Sequence, residues 1–233
     1  MSLEPKNQPL TFSVIIPTFN ESDRIAECIS CLRAIYPGIE IIVSDGKSFD
    51  ETVSISRKMN VKVIQSPKLR GLQCNVAANT LLSDIFIFMH ADSRLSYGVF
   101  AKLGEAFSDT VVKVGVLRLS VDINHWLLKF YSLCNRVDSV LTRFGDQCIV
   151  VRRDFFQKIG GFDELNYFDD VMFFQKARKF TKIHLLPAKV ITSGRRFKKN
   201  GICKQYFYDA WLMLQYILGV SPYRLALKYE KSN

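Results

Sequence analysis

A chain of 233 residues with 48% hydrophobic and 23% charged residues has the balance of a folded globular protein. It is long enough for one sizeable core and short for two full domains, with no run near the roughly 20 apolar residues that cross a bilayer. A net charge of +10 leaves nucleic acid, an anionic membrane surface or an anionic small ligand as partner classes.

The basic clusters at 68–70, 152–153, 176–179 and 194–199 lack the interleaved aromatics of a single-strand-binding surface, so no nucleic acid is expected. The opening MSLEPKNQPL has neither the charged head nor the apolar stretch of a signal peptide, and a cytoplasmic protein is expected. Among six cysteines only Cys28 and Cys31 form a CxxC. It falls inside a predicted helix with no second pair to complete a zinc site, which predicts reduced, structural thiols.

From the amino end, FSVIIP (12–17) is apolar throughout and closed by a proline, which predicts a short buried strand. Ser22 is placed to cap a helix with Ile25, Cys28, Ile29, Leu32 and Ile35 at helical spacing. IEIIVS (39–44) predicts a second strand, Asp50 a cap for a helix from Glu51, and VKVIQ (61–65) a third strand. A helix over about 72–82 leads into a fourth strand, IFIFM (85–89). Beyond it, 112–122 predicts a longer strand, 124–141 a helical stretch, 148–153 a strand, and 169–180 a helix opened by two acids. After KIHLLP (182–187) comes QYFYDAWLMLQYILG (205–219), apolar on nearly all sides. That pattern belongs more often to a core or a dimer interface than to a membrane anchor. A homodimer and a peripheral membrane contact through these C-terminal helices both stay open. No linker or repeat interrupts the chain, so one domain over 1–233 is expected.

Strands alternating with single helices indicate βαβ units, hence a Rossmann-like, mostly parallel α/β sheet with helices on both faces. Ligands of such sheets bind outside the carboxyl ends of the strands. Thr18, Asn20 and Glu21 follow the first strand, Asp45 with Gly46 the second, and His90, Ala91 and Asp92 the fourth. Three polar strand ends on one edge predict a site. Neither GxGxxG nor GxxxxGK[ST] occurs, so phosphates are not cradled by a glycine loop. A pyrophosphate can instead meet a divalent cation, Mn2+ or Mg2+, on Asp92 and His90, with Arg70 and Arg196 as further positive charge. Asp45 can accept the N–H of a nucleobase edge.

SVIIPTFNES, IIVSDGKSFDET, FMHADSRL, GDQCIVVRRDFF, GGFDE, FDDV and TSGRRF stand in the order seen in family 2 glycosyltransferases. The chain resembles, more closely, the small bacterial branch associated with arsenosugar biosynthesis and selenium gene clusters. The resemblance covers roughly 12–229 and implies a GT-A fold with a helical C-terminal region. It implies a nucleotide-binding half over about 12–95, an acceptor-side half over about 96–233, a nucleotide-sugar donor, and metal-assisted transfer. By position it implies nucleotide contacts from Pro17, Thr18, Glu21, Asp45, Arg70, Gln73 and Asn75. Asp92 matches the metal-side acid of the DxD motif, and Asp169–Asp170 match the pair holding the catalytic base. His90 replaces the first acid of DxD, Leu72 stands where the branch often has a second arginine, Asp169 replaces a glutamate, and Met172 another common acid.

Each residue also has a plainer reading. Asp92 can be a turn former, His90 a donor to a loop carbonyl, Asp169 and Asp170 a helix N-terminus. Asp146 and Gln147 can bind sugar or acceptor hydroxyls or form an ordinary turn. Arg195 and Arg196 can be a solvated pair, although the glycine before them suggests a loop closing over a diphosphate. The leading expectation is an inverting hexosyltransferase-like enzyme using a UDP-sugar, with Asp170 as base and Arg196 and the metal on the leaving diphosphate. Its acceptor is a small or lipid-linked molecule. The alternatives are a nucleotide-sugar-binding protein without transferase activity and a sugar nucleotidyltransferase.

Overall fold

Strand β1 (Phe12–Thr18) is apolar on both sides because both sides are covered. A computed structural model describes residues 9–139 and 142–230. Val14 and Ile16 enter one hydrophobic cluster and Ile15 the other. In β4 (Ile85–Phe88), Ile85 and Ile87 join the first cluster, Phe86 and Phe88 the second. Burial on both faces explains why these strands read as continuous apolar runs. Helices α1 (Ser22–Ile35) and α4 (Val99–Ser108) close the first cluster. Helices α3 (Arg70–Ala78), α6 (Arg153–Lys158) and α7 (Asp169–Arg178) close the second.

The remaining strands are β2 (Glu40–Asp45), β3 (Lys62–Gln65), β5 (Ser93–Leu95), β6 (Val114–Val121), β7 (Ile149–Arg152) and β8 (His184–Thr192). Their order in the sheet is β3-β2-β1-β4-β7-β6-β8-β5. β7 is antiparallel to both its neighbours and β5 to β8; every other pairing is parallel. Six strands therefore end on one edge of the sheet, and that edge collects the polar strand ends.

Several elements differ from the sequence expectation. β5 and α4 escaped it, the first because three residues carry no period. The helical stretch expected over 124–141 stops as α5 (Trp126–Cys134). Arg143, buried, then donates to the Asn135 carbonyl and Thr142 to the Val137 carbonyl, which turns the chain. Residues 140 and 141, like 1–8 and the opening MSLEPKNQ, lie outside the described residues. β8 runs past Pro187, which sits where the pairing register shifts from Val116↔Leu185 to Arg118↔Lys189, so no ladder bond is lost there. Ser22 does not cap α1 with its side chain. Asp50 instead accepts from the backbone N–H of Ser22 at 3.0 Å and of Thr52 at 3.0 Å. It thereby ties the start of α1 to that of α2 (Thr52–Lys58). Against desolvation, which pushes it up, these bonds and the Thr52 hydroxyl together hold its carboxyl down at about 2. All six cysteines are unpaired.

The chain finishes in α8 (Arg195–Asn200), α9 (Ile202–Ile217) and α10 (Pro222–Glu230). A third cluster joins Leu212, Met213, Leu225 and Tyr229 of the last two to Phe168 and Val171 at the start of α7.

The start of α3 depends on Gly71. A Cβ there would lie 1.8 Å from the Asp163 carbonyl oxygen, a backbone atom, while its N–H donates to the Leu165 carbonyl at 2.9 Å. Gly71→Ala should lower stability by about 1–3 kcal/mol, as overpacking does. Gly38→Ala, with nothing within 4 Å of the added carbon, should stay within about 0.5 kcal/mol of the parent. Urea unfolding of both variants checks the contrast.

Candidate active site

At the ends of β1 and β2 the side chains are spent on one another. Asp45 is fully buried. Its oxygens accept from Thr18 Oγ1 at 3.2 Å, the Ser48 N–H at 2.8 Å, Ser48 Oγ at 2.5 Å and Gln65 Nε2 at 3.4 Å. The carboxylate thus builds the turn, and it meets a ligand only if Ser48 moves aside. Gln73, also buried, donates to the Thr18 carbonyl at 2.8 Å and the Ser44 carbonyl at 2.7 Å, lacing β1 to β2. Asn75 pairs through both amide atoms with the backbone of Phe162, each at 2.9 Å. Both amides were expected on the nucleotide; here they bond backbone groups of Thr18, Ser44 and Phe162. Asn20 lies in the left-handed region at φ 54°, and its Oδ1 accepts from the Phe49 N–H. Gly46 donates its N–H to the Thr18 carbonyl at 2.8 Å.

Next along the edge, Arg70 Nε reaches both oxygens of Asp169, at 2.9 and 3.0 Å, and a second guanidinium nitrogen bonds Oδ1. Arg70 also lies 3.5 Å from Asp170 Oδ1. The Asp169 side chain is 3% exposed. Burial pushes its carboxyl up and Arg70 pulls it back, leaving it at about 6; the two acids hold Arg70 firmly charged. Asp170 is disposed differently. Its Oδ2 accepts from the Gly145 N–H at 2.6 Å and Oδ1 from the Val171 N–H at 2.8 Å, and Arg70 stands farther from it than from Asp169. A recess lined by Pro17, Arg70, His90, Gly145 and the two acids opens in front of it. Burial and the neighbouring Arg70 push His90 down to about 4, so its imidazole is neutral at pH 7.

The turn after β4 places Ala91 inside and Asp92 outward, its side chain 15% exposed. Arg195 pairs with Glu21 and lies 3.5 Å from Asp92 Oδ2. Glu21 keeps one buried oxygen without a partner, and burial raises its pKa against the pull of Arg195. Arg196, which sequence placed on the diphosphate, bonds the Tyr229 hydroxyl and lies 3.5 Å from Asp209, close enough for its charge to bear on His90 and Asp146. TSGRRF is no free loop either. The Gly194 N–H donates to Asp122 Oδ1 at 2.7 Å, and the arginines begin α8.

Among the described residues no three His, Cys, Asp or Glu side chains converge closely enough to hold a metal ion alone. A hard cation that takes one or two protein ligands and completes its shell with phosphate oxygens needs fewer. Asp92, the neutral His90 and the orphaned oxygen of Glu21 suit that chemistry, provided Arg195 swings off Asp92.

On the far side, Asp146 has one buried oxygen without a partner and receives the Tyr131 hydroxyl on the other at 3.4 Å. Burial, then the nearby Asp170, push its carboxyl up to about 7. Gln147, paired with it by sequence, is fully buried and donates to the Thr142 carbonyl at 2.6 Å, which fits the turn reading. Sequence reasoning missed the aromatic corner where the Phe19 and Phe49 rings meet edge to face at 5.8 Å, with the Lys68 ammonium 4.0 Å over Phe19. Phe49 is 85% exposed, and an apolar residue inside the polar SDGKSFDET turn was its signal.

The model of the family described as "Glycosyl transferase family 2" matches residues 13–160. A dolichol-phosphate mannosyltransferase of Pyrococcus furiosus is 36% identical over 105 residues, 42% of this chain and 30% of that protein. The chain thus spans under a third of that relative's length. Among solved structures, GalNAc-T7 with UDP, GalNAc and Mn2+ superposes with a TM-score of 0.66 at 15% identity, over 80% of this chain and 44% of that one. The mannosyltransferase PcManGT of Pyrobaculum calidifontis with GDP-Man and Mn2+ gives 0.55 at 17%, over 79% and 57%. The chain has the GT-A fold.

Because Asp146 has a raised pKa, its contribution to stability is full below about 3.8 and fades as pH rises through about 7. Asp146→Asn should therefore gain in melting temperature over the parent as pH goes from 5 to 8. Thermal melts across that range check the sign.

Proposed function

The chain belongs to glycosyl transferase family 2, and on that premise we propose that it moves a sugar from a UDP-sugar to an acceptor hydroxyl with inversion. The ordered motif series ending in TSGRRF supports placing it in the arsenosugar- and selenium-associated branch. In this reading 12–95 holds the nucleotide, 96–233 faces a small or lipid-linked acceptor, and both halves make one domain. What carries the reading is the division of labour between adjacent acids. Asp169 takes the close, two-pronged contact with Arg70, whereas Asp170 hydrogen-bonds backbone N–H groups, keeps Arg70 only at 3.5 Å and lines the recess.

Asp170 accepts the proton of the acceptor hydroxyl as its oxygen attacks the anomeric carbon from the side opposite the diphosphate. The new C–O bond forms while the bond to the diphosphate breaks, and the electron pair leaves with UDP. One base suffices; no sugar–enzyme bond forms. Such a positioned base contributes about 10² to 10⁴-fold. Arg195, rather than Arg196, neutralises the departing charge, released from Asp92 as the diphosphate arrives. A divalent cation, when bound, would rest on Asp92 with His90 and draw charge from the diphosphate oxygens. Phe19 and Phe49 offer the uracil a ring to stack on, and the Asp45 turn fixes their height. Asp146 faces the acceptor.

Asp170→Asn keeps the shape and the bond from Gly145 but cannot take a proton at neutral pH. Transfer should fall by about 10²-fold or more with little change in UDP affinity. Asp169→Asn leaves Arg70 short of a counter-charge and should lower stability by roughly 1–3 kcal/mol. Turnover with a donor panel, UDP calorimetry and melting of both variants make the comparison. Loss of transfer in Asp169→Asn with Asp170→Asn intact would reverse the two roles.

A further inference from the structure

Helix α9 is apolar on the face that packs and on the face that does not. Gln205, Leu212 and Met213 are buried. Phe207, Trp211, Leu214 and Leu218 are 67, 56, 44 and 72% exposed, and their spacing of three to four residues lines them along one side. Helix α5 repeats the arrangement with Trp126, Phe130, Leu133 and then Val137 at 71, 51, 54 and 66%. Tyr131 and Tyr206 meet edge to face at 6.4 Å and join the two helices; each is the sequence neighbour of an exposed phenylalanine. Tyr223 and Leu227 of α10 add to the surface. Single exposed apolar side chains are ordinary, but stripes on three helices are not.

Charge says what covers this surface. Lys129 and Arg136 flank the α5 stripe, and Lys198, Lys204, Arg224 and Lys228 are exposed on α8, α9 and α10. Of the acids nearby, Asp209 is paired with Arg196 and Asp138 with Arg178. A second copy across a two-fold axis would set lysine against lysine. An anionic bilayer satisfies both features, taking aromatic and leucine side chains below its headgroups and the basic ones among them. Among the described residues no helix is long and apolar enough to cross a membrane, so the contact lies in the interface plane.

We propose that the exposed faces of α5, α9 and α10 dock the protein on an anionic membrane surface. The inference is independent of the reaction. Both tryptophans of the chain, Trp126 and Trp211, stand in this surface and report on it directly. The full chain, titrated with vesicles of phosphatidylcholine and phosphatidylglycerol, should pellet with them, shift its tryptophan emission to the blue, and release in high salt. Phosphatidylcholine alone should bind far less. Phe207→Ser/Leu214→Ser should weaken partitioning about tenfold or more while its melting stays near the parent's. Trp126→Ser/Phe130→Ser on α5 should do the same, which guards against misfolding of one variant. Absence of vesicle binding would overturn the proposal. So would a concentration-dependent dimer in sedimentation equilibrium whose tryptophans are already blue-shifted without lipid.

Discussion

The ion pair between Arg70 and Asp169 is the contact on which the site depends. It joins residues 99 apart in sequence, tying the first turn of α3 to the first turn of α7 at the carboxyl edge of the sheet. Gly71, beside it, lies against the Asp163 backbone and bonds to Leu165, so α3 cannot shift without moving the segment that leads into α7. Such a desolvated pair adds little net stability, because removing both charges from water offsets most of their attraction. Its effect is positional: with Asp169 fixed, Asp170 is turned toward Gly145 and the recess.

Backbone strain gathers at the same edge. Asn20, Cys148 and Phe168 all have positive φ, at 54, 55 and 65°, although none is glycine. Residues held this way cost of order 1–3 kcal/mol each and persist only where surrounding packing enforces them. Phe168 shows how. It is buried in the cluster formed with α9 and α10, so the C-terminal helices that carry the exposed apolar surface also hold the residue preceding the two acids.

Much of this was legible in the sequence, for identifiable reasons. Strands β1, β2 and β4 announce themselves because apolar runs buried on both faces end in polar residues. The doubled acid at 169–170 was readable as one residue anchored and one presented. The anchor, though, is Arg70 and not the helix dipole, a partner no local pattern reveals. For Gln73 and Asn75 sequence could not show that their amides bond backbone groups far along the chain, at Thr18, Ser44 and Phe162. Arg195 and Arg196 are adjacent and chemically alike, so sequence does not say which faces Glu21; the start of α8, pinned at Gly194 by Asp122, presents Arg195. The direction of β7 has no local signature, and the apolar stretch at 205–219 stayed open between core, dimer interface and membrane contact because hydropathy does not say which face is covered.

The central claim is that the carboxyl edge of the sheet holds a nucleotide-sugar in front of Asp170. Amide hydrogen exchange with and without a UDP-sugar addresses it most directly, since it needs no acceptor. Protection should appear at 18–21, 45–49, 90–94 and 193–196, with the amino ends of β1 and β4 unchanged. Binding that protects none of these segments, or protects the opposite edge, would contradict the account.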